Sequence, residues 1–547
     1  MFEIIDIDAL GRIGKLQVND KKMITPNLFP VVHPSKNLIS AKELKKIGAE
    51  SLFTNAYLLY QNDLLREEVL KKGIHRHLNF PNGIIATDSG AFQQYMYNKE
   101  KISIEAKEIE RFQEDIGSDF PVILDIPVQL DDSYEIAKEK VYTTISRAKD
   151  NINRRTNEKC SWFGPIHGAK YQDLLKISST EMSKLNFGVY AIGGLVKAFL
   201  NYQFDLTIEI LLNVKKAIRP DKPIHMFGLG LPQFFSLAVA CGCDLMDSAA
   251  YVLFAKENRY FTLSTGTEKL EDLDEFPCHC PICCDNKPRE VYKLEDDLRT
   301  ELLAKHNLYL SFSELRTIRQ AIREGNLWEL VEQRIRVHPA LMNAARLIRN
   351  YTDYFEEHEK IYKLKGRLYS SSNDLFRPLI KRYNNKLIGN YRIPQDAKYL
   401  IILPELDTRP KNSPSISKWL NLINNDTINE RRALHVMFFS LHYGLIPIEL
   451  IDTYPLSQYE SIRFTEENGF LSNNVIQKCL NFYQKKVNAY KKIAILIPEN
   501  YENQFGEIVK FSPIDPIRQL FSLLKLENKE KIFKFNNLND ILQFFDE

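Results

Sequence analysis

Residues 224–251 read IHMFGLGLPQFFSLAVACGCDLMDSAAY, two apolar strand candidates (IHMFG and CDLMD) separated by a helix-like segment. The same alternation extends from about residue 29 to residue 250. Its eight apolar or β-branched runs are FPVVH at 29, SLFTN at 51, GIIAT at 83, PVILD at 121, WFGPI at 162, GVYAI at 188, IHMFG at 224 and CDLMD at 243. Eight strands alternating with helices are typical of a (β/α)₈ TIM barrel. A doubly wound open sheet is the alternative that the pattern leaves open.

Composition excludes some classes of protein. A chain of 547 residues exceeds the size of one hydrophobic core, so two or three domains are expected. Its 44% hydrophobic and 26% charged content is ordinary for a soluble globular protein. The net charge of +2 neither requires nor excludes a nucleic-acid partner. No signal peptide and no run of about eighteen apolar residues is seen, so we expect neither secretion nor a membrane span.

The chain divides into three predicted segments. Residues 1–250 carry the barrel pattern, and residues 251–368 carry a cysteine-rich stretch and a charged helical run packed on it. The serine-rich stretch YSSSNDLFRP at 369–378 marks a boundary. Residues 369–547 are predicted to form a smaller α/β domain that is structural or contacts a partner. In it we predict a strand at YLIILP from 399 and a helix through ALHVMFFSLHYGL from 433.

A metal site is predicted from the stretch FPCHCPICC at 276–284. Cys278, Cys280 and Cys283, with His306, supply three thiolates and one imidazole, which is a complete tetrahedral ligand set for a structural Zn²⁺ ion. A cluster of buried free cysteines is the alternative. His279 and Cys284 are then bystanders. Clustered cysteines favour a metal over disulfides, and hence a reducing, cytoplasmic location.

The spacing of Ser311 and Glu314 fits a capping box. It predicts that a helix begins just after His306.

Three of the eight runs end on aspartate, namely at Asp88, Asp125 and Asp247. Active sites of barrels lie at the carboxyl ends of the strands, so these carboxylates are candidate catalytic groups. Each could alone be a helix N-cap.

Glycines accompany the aspartates at Gly90, in the pair Gly193 and Gly194, and in the run MFGLG. They either supply turns that need positive φ or let a flat ring approach the backbone. Phe92 and Met226 are candidates to sandwich such a ring, with core packing as the alternative.

Paired carboxylates on a barrel rim, with no nucleotide-binding glycine loop, suit chemistry at a glycosidic carbon. One carboxylate attacks the carbon and another handles the proton of the leaving group. Displacement of a base from ribose is one such reaction.

Several motifs in order carry a resemblance over roughly residues 5–365. They are TNAY at 54, TDSGAFQ at 87, LDIP at 124, AIGG at 191, the MFGLG run, DSAAY at 247, the cysteine and histidine set, and HNLYLSFSELRTIRQAIREGNLWELVE at 306. With these motifs the chain resembles the archaeal tRNA-guanine transglycosylases of the archaeosine pathway.

The resemblance implies a reaction and a set of roles. Asp247 would be the nucleophile that forms a covalent tRNA intermediate, and Asp88 the general acid and base. It also implies that Asp125, Gly193 and Gly194 recognise the exchanged base, and the further candidates for substrate binding are Ser89, Phe92, His167 and Met226. The reaction would exchange guanine at position 15 of the tRNA D-arm for 7-cyano-7-deazaguanine without ATP or an organic cofactor. Zinc would hold the helical subdomain in place.

His167 departs from the family pattern, since the segment GPIHGAK places it where a base-contacting glutamine is usual. A histidine cannot present the paired donor and acceptor of an amide. The accepted base is therefore left open, as is a purely structural role of His167.

The C-terminal end is a second departure. No PUA domain is recognisable, and we expect a separate PUA-domain subunit to supply that RNA contact. Full tRNA affinity of the isolated chain would contradict this expectation. The family often pairs through its zinc region, and the sequence leaves a homodimer open.

The stretch ILPELDTRPKNSPSISKW from residue 402 faintly resembles the domain of archaeosine synthase that carries a catalytic cysteine. Glu405, Arg409 and Lys418 stand at the matching positions, so the thiol is absent. An enzyme of that type, acting on the inserted base, is one alternative function. A non-catalytic tRNA-binding partner subunit is the other.

Overall fold

The computed structural model describes residues 1–91, 104–365, 367–425, 433–461, 469–486, 489–512 and 515–546. The chain forms two compact units, Met1–Ile348 and Arg349–Glu547. Each unit is a mixture of helices and largely parallel sheets. Within the described ranges, no helix has the length and apolarity needed to cross a membrane.

The first unit opens with an antiparallel sheet of three strands that the sequence patterns did not predict. The strands are Phe2–Asp8 (β1), Gly11–Val18 (β2) and Lys21–Thr25 (β3). Leu16, Val18 and Met23 are buried in the core of the unit. The sheet therefore covers one end of the structure that follows.

Eight short strands follow, and each of the eight predicted runs overlaps one of them, although the run from 121 shares only Pro121 with its strand. They are Asn27–Pro30 (β4), Ser51–Asn55 (β5), Ile84–Asp88 (β6), Phe120–Pro121 (β7), Phe163–Ile166 (β8), Val189–Ile192 (β9), Ile224–Met226 (β10) and Leu245–Ser248 (β11). They form a five-stranded sheet in the order β4-β11-β10-β9-β8 and a three-stranded sheet in the order β5-β6-β7. All the pairings are parallel.

Two isolated parallel bridges link these two sheets. Val31, just beyond β4, pairs with Phe53 of β5, and Val122, just beyond β7, pairs with Phe163 of β8. Alternate residues of a strand point to opposite faces, so one face of the strands supplies a common apolar core. That core contains Phe29, Phe53, Ile84, Ala86, Phe120, Val122, Phe163, Val189, Ala191 and Leu245.

Helices connect the strands, and local signals fix where several of them begin. Ser40 and Glu43 form a capping box at the first helix, Ser133 caps the longest of this group, and Pro232 begins another. The helices are Ala41–Ile47, Ala56–Gln61, Asp63–Lys72, Ile74–His77, Ala106–Asp115, Tyr134–Arg154, Gln172–Ser183, Val196–Leu200, Phe204–Ala217, Pro232–Ala240 and Ala250–Lys256.

A hairpin and a set of helices complete the first unit. The hairpin strands are Arg259–Thr262 (β12) and Gly266–Lys269 (β13). The helices are Pro281–Asp285, Pro288–Tyr292, Asp296–Glu324, Leu327–Ile335 and Pro339–Leu347. The long helix is tied to the strand-and-helix region because Asn307 donates to the carbonyl of Tyr251 and Arg319 donates to that of Pro26.

The predicted helix start after His306 is wrong. The helix begins at Asp296, so Ser311 and Glu314 lie in its interior. The Ser311 hydroxyl donates to the carbonyl of Asn307 one turn earlier, and the Glu314 carboxylate accepts from Arg334 at 2.8 and 2.9 Å. Ser311 thus forms a hydrogen bond within its own helix, and Glu314 forms a salt bridge to a second helix, so neither side chain caps a helix.

The second unit is built on a five-stranded sheet. Its strands in chain order are Tyr399–Pro404 (β15), Leu434–Ser440 (β16), Gly444–Pro447 (β17), Lys492–Leu496 (β19) and Ile532–Phe535 (β22). Their order in the sheet is β17-β16-β15-β19-β22. Arg367–Tyr369 (β14) pairs with Tyr459–Ser461 (β18), and Asn500–Glu502 (β20) pairs with Ile508–Lys510 (β21). The helices of this unit are Thr352–His358, Pro378–Asn390, Pro414–Asn425, Gly469–Lys486, Pro516–Glu527 and Leu538–Asp546.

The strand predicted from residue 399 is confirmed as β15, but the helix predicted from 433 is wrong. That segment forms β16 and β17, which pair antiparallel from Met437 and Pro447 to Ser440 and Gly444. The strand β16 is buried along almost its whole length, and so it reads as one continuous apolar run. Such a run has no period that separates a buried strand from a buried helix.

Candidate functional site

Asp247 lies near the carboxyl end of β11 and is held there by two donors. Its Oδ1 accepts a hydrogen bond from His225 Nε2 at 2.7 Å and from the Gly228 N–H at 3.2 Å. The carboxylate is about 13% exposed, so it is partly shielded yet open to a ligand. The first donor lies in β10, which pairs in parallel with β11, and the second lies in the loop after β10.

His225 is fully buried among aromatic side chains. Its ring centroid lies 5.9 Å from that of Phe29, 6.1 Å from Phe53, 5.1 Å from Phe163 and 5.0 Å from Phe227. The strand-end rule did not point to His225, because the residue lies inside its run and not at the end. The alternation of β10 does carry a signal, since His225 and Phe227 share one face.

Met226 occupies the opposite face of that strand and is fully buried. Phe227 is only partly buried and packs against the same core as His225. Phe227 therefore lies on the same side of the strand as His225, whereas Met226 faces the opposite side.

Asp88 lies at the carboxyl end of β6 and is half-buried. Its Oδ2 accepts from Asn55 Nδ2 at 2.9 Å, and Asn55 Oδ1 accepts from the Leu58 N–H at 2.8 Å. Ser89 is buried, and its hydroxyl donates to the Ile123 carbonyl at 3.0 Å. The loops after neighbouring strands are thereby fixed beside Asp88. Phe92 lies outside the described residues.

Asp125, His167 and the two glycines come together from three successive loops. His167 Nε2 lies 2.6 Å from Asp125 Oδ2, and both side chains are buried. A Cβ on Gly193 would stand 2.3 Å from His167 Cε1, so only glycine leaves room for this ring. Gly194 has φ +78°, and a Cβ there would meet the Val128 carbonyl oxygen at 2.2 Å.

The strand ends thus present carboxylates that are oriented by side-chain hydrogen bonds. Asp88 is held by an amide, while Asp125 and Asp247 are each held by an imidazole. Because the strands pair in parallel, their carboxyl ends lie at one edge of each sheet. Such a set can supply a nucleophile, a proton carrier and an acceptor for N–H groups of a ligand.

The three cysteines and the histidine form one cluster. Their ligand atoms all lie within 4.8 Å of one another. Cys280 Sγ lies 3.5 Å from Cys283 Sγ, and His306 Nδ1 lies 3.5 and 3.3 Å from those two sulfurs. Bond lengths of about 2.3 Å to sulfur and 2.0 Å to nitrogen give similar separations around a tetrahedral ion. The group could therefore hold a metal ion.

The surroundings orient these ligands. His306 Nε2 lies 2.9 Å from the Phe261 carbonyl oxygen, which leaves Nδ1 to face the sulfurs. The Tyr260 ring stacks on His306 at 3.7 Å, and its hydroxyl lies 3.3 Å from Cys283 Sγ. Burial, followed by the contact with that sulfur, raises the pKa of Tyr260, so its hydroxyl stays protonated. The cluster joins the β12–β13 hairpin to the long helix.

The segment that faintly resembled a synthase site has other partners in the second unit. Glu405 accepts from the Tyr459 hydroxyl, Arg409 donates to the Ser457 carbonyl, and Lys418 pairs with Glu502. These contacts join the loop and the helix after β15 to neighbouring segments of the second unit.

Comparison with known proteins identifies the family. Residues 7–340 match the family model described as queuine tRNA-ribosyltransferase. The tRNA-guanine(15) transglycosylase of Methanococcus aeolicus is 41% identical over 492 residues, which cover 87% of this chain and 72% of the relative. The enzyme of that name from Methanocaldococcus jannaschii is 36% identical over 562 residues, covering 100% of this chain and 83% of the relative. The chain belongs to the queuine tRNA-ribosyltransferase family.

A third relative shows that the similarity reaches beyond one group of organisms. The tRNA-guanine(15) transglycosylase of Pyrococcus furiosus is 41% identical over 381 residues, covering 70% of this chain and 64% of the relative.

Proposed function

We propose that the protein is a tRNA-guanine(15) transglycosylase. It exchanges guanine at position 15 in the D-arm of tRNA for 7-cyano-7-deazaguanine, the base-exchange step of archaeosine biosynthesis. The proposal rests on family membership together with relatives of that name that align with most of the chain. The observation that carries it is the hydrogen-bonded Asp247 carboxylate at the end of β11.

The scaffold we propose is a closed (β/α)₈ barrel. The bridges Val31–Phe53 and Val122–Phe163 support it, because they join the two sheets at both of their outer edges. The shared apolar core, with the side chains of β2 and β3 at one end, supports it too. In such a barrel the strand-end carboxylates surround one active site.

The proposed reaction is a double displacement at the ribose. An Asp247 oxygen attacks C1′, and the C1′–N9 bond breaks with its electron pair going to guanine. The protonated Asp88 gives its proton to guanine N9 as the base leaves. Asp88 then takes the N9 proton of the incoming base as that nitrogen attacks C1′, and the Asp247 carboxylate is released.

Recognition of the base falls to the loops after β6 to β10. An Asp125 oxygen accepts N–H groups of the base, while His167 fixes that carboxylate and contributes its other ring nitrogen. Gly193 and Gly194 let the base approach the backbone, and Ser89 shapes the adjoining wall. Phe92 and Phe227 would flank the ring, with Phe227 taking the place first given to Met226.

Zinc is the metal that we propose for the cluster of Cys278, Cys280, Cys283 and His306. Three thiolates and one imidazole are a typical structural zinc set, and four protein ligands leave no position for a substrate. Its proposed function is to fix the hairpin and the long helix against the rest of the first unit. The separate PUA-domain subunit, the homodimer and the cytoplasmic location stay predictions.

Base exchange can be measured directly. The full-length protein is incubated with an unmodified tRNA transcript and radiolabelled 7-cyano-7-deazaguanine or guanine, and the label in tRNA is followed and mapped. We expect incorporation at position 15, and no incorporation into a transcript with adenosine at that position. Absence of label in tRNA, or label at another position, would overturn the proposal.

A matched pair of variants tests the site. Asp247→Asn should abolish exchange, whereas Asp221→Asn, the same change at an exposed aspartate paired with Arg219, should leave it unchanged. Exchange by the Asp247→Asn protein at the wild-type rate would exclude Asp247 as the nucleophile.

A further inference from the structure

The two oxygens of Asp247 have different surroundings. Oδ1 accepts both hydrogen bonds, from His225 Nε2 and from the Gly228 N–H. No residue in the described ranges donates to Oδ2. The carboxylate is therefore fixed through one oxygen, and the other is available to react.

The buried position of His225 makes its side chain a hydrogen-bond donor to Asp247. It is 0% exposed, and aromatic rings surround it, so water does not compete for its Nε2 proton. Its Nδ1 is buried and has no hydrogen-bond partner among the described residues. An ionised carboxylate only accepts hydrogen bonds, so Nε2 must carry the proton.

We infer that His225 is a positioning residue that holds Asp247 through Oδ1, so that Oδ2 is the atom that attacks C1′. This inference rests on the proposed base exchange. In the step, the Oδ2–C1′ bond forms while the C1′–N9 bond breaks and its electron pair leaves with the base. His225 keeps its proton throughout, and Oδ1 becomes the carbonyl oxygen of the resulting ester.

The same hydrogen bond also affects how much covalent intermediate is present at equilibrium. A donor binds a carboxylate more strongly than it binds the neutral carbonyl of an ester. His225 therefore orients the nucleophile but stabilises the free enzyme more than the adduct. Removing the donor should slow attack without lowering the equilibrium amount of adduct, a combination that loss of folded protein would not give.

The test uses the full-length protein, excess tRNA and a denaturing gel that resolves the covalent adduct. His225→Phe keeps an aromatic ring in the cluster and removes the donor. We expect adduct formation to be roughly 10- to 100-fold slower, with an undiminished equilibrium fraction of adduct and a KM for tRNA within about threefold of wild type. His225→Gln, whose amide can reach the position of Nε2, should recover a measurable part of the rate.

Phe29→Leu is the matched control, because it alters the packing around His225 and keeps the donor. It should stay within about threefold of the wild-type rate. Equal rates for His225→Phe and wild type, equal losses for Phe29→Leu and His225→Phe, or no recovery in His225→Gln would overturn the inference. Should His225→Phe fail to fold, His225→Asn, whose amide is too short to reach Asp247, replaces it in the comparison with His225→Gln. Failure of the wild-type protein to form an adduct would instead overturn the proposed function.

Discussion

At the scale of single residues, the site repeats one device, a buried imidazole that fixes an aspartate. His167 holds Asp125 and His225 holds Asp247, in both cases through Nε2 and at 2.6 to 2.7 Å. Their surroundings differ, since His167 packs against Gly193 and His225 lies among phenylalanines. In the proposed reaction the first pair contacts the base and the second attacks the ribose.

The first pair can be tested by His167→Ala. Without its donor, Asp125 loses orientation and a hydrogen bond to a charged group, which costs about 1.5–3 kcal/mol. The KM for the incoming base should rise about tenfold or more in steady-state exchange, while kcat at saturating base stays within about threefold.

A surface histidine provides the control for this change. His358→Ala removes an exposed imidazole in the second unit and should leave the KM unchanged. An unaltered KM in His167→Ala would show that His167 takes no part in base binding.

The sequence predicted some of these residues better than others. Asp88, Asp125 and Asp247 are predicted because each ends or directly follows an apolar run, and the structure places Asp88 and Asp247 within the ends of β6 and β11 and Asp125 in the loop after β7. His225 was missed because it lies inside its run and only the pairing of β10 with β11 brings it to Asp247. Choosing between Met226 and Phe227 needs the register of β10, which one short apolar run does not define.

At the scale of elements, the helix Asp296–Glu324 links the cluster of three cysteines and His306 to the rest of the first unit. It carries His306 for the cluster and Asn307, which donates to the Tyr251 carbonyl and accepts from the Phe261 N–H at 2.8 Å. Adjacent residues thus bind the cysteine stretch, the hairpin and the helix Ala250–Lys256. Loss of the metal should therefore loosen several elements together.

Cys280→Ser tests this role of the metal. The variant should lose most of its bound zinc and unfold at a temperature lower by about 5–15 °C, since a structural zinc site contributes several kcal/mol. Metal analysis and calorimetry measure the two effects.

Cys284→Ser is the matched control, because Cys284 is exposed and lies outside the ligand group. It should retain its zinc and its thermal stability. Equal zinc loss in both variants, or full zinc in Cys280→Ser, would contradict the assigned ligand set.

Prediction of elements succeeded where strands and helices alternate and failed where local patterns are ambiguous. The eight predicted runs between residues 29 and 247 each overlap a strand, because short buried strands separated by amphipathic helices are a regular pattern. The run from residue 433 was assigned to a helix, since burial on both faces of β16 removes the alternation of a strand. The Ser311 and Glu314 pattern was misleading because Ser311 bonds to the Asn307 carbonyl within the helix and Glu314 accepts from Arg334 of another helix.

At the scale of the whole molecule, the chain is two units that each have a hydrophobic core. The core of the second unit includes Ile401 and Ile402 of β15, Met437 and Phe438 of β16, and Ile495 of β19. A unit with a core of its own is able to fold independently. The division falls at Arg349, ahead of the serine-rich boundary predicted at 369–378, and the helix Thr352–His358 belongs to the second unit.

Expression of residues 349–547 alone tests this independence. We expect a cooperative thermal transition and a near-ultraviolet circular dichroism signal from ordered aromatic side chains. Ile401→Asp, a buried charge on the central strand, should abolish both. A segment without cooperative unfolding would show that this core depends on the first unit.

Peptide mapping of the trapped adduct shows which residue of the protein bonds covalently to the ribose of tRNA. The wild-type protein is mixed with tRNA, denatured, and digested with nuclease and protease before mass spectrometry. We predict that the added ribose mass lies on the peptide containing residues 245–251, at Asp247, and is absent from the Asp247→Asn protein. A ribose on Asp88 or Asp125, or an adduct that persists in Asp247→Asn, would show that Asp247 is not the nucleophile.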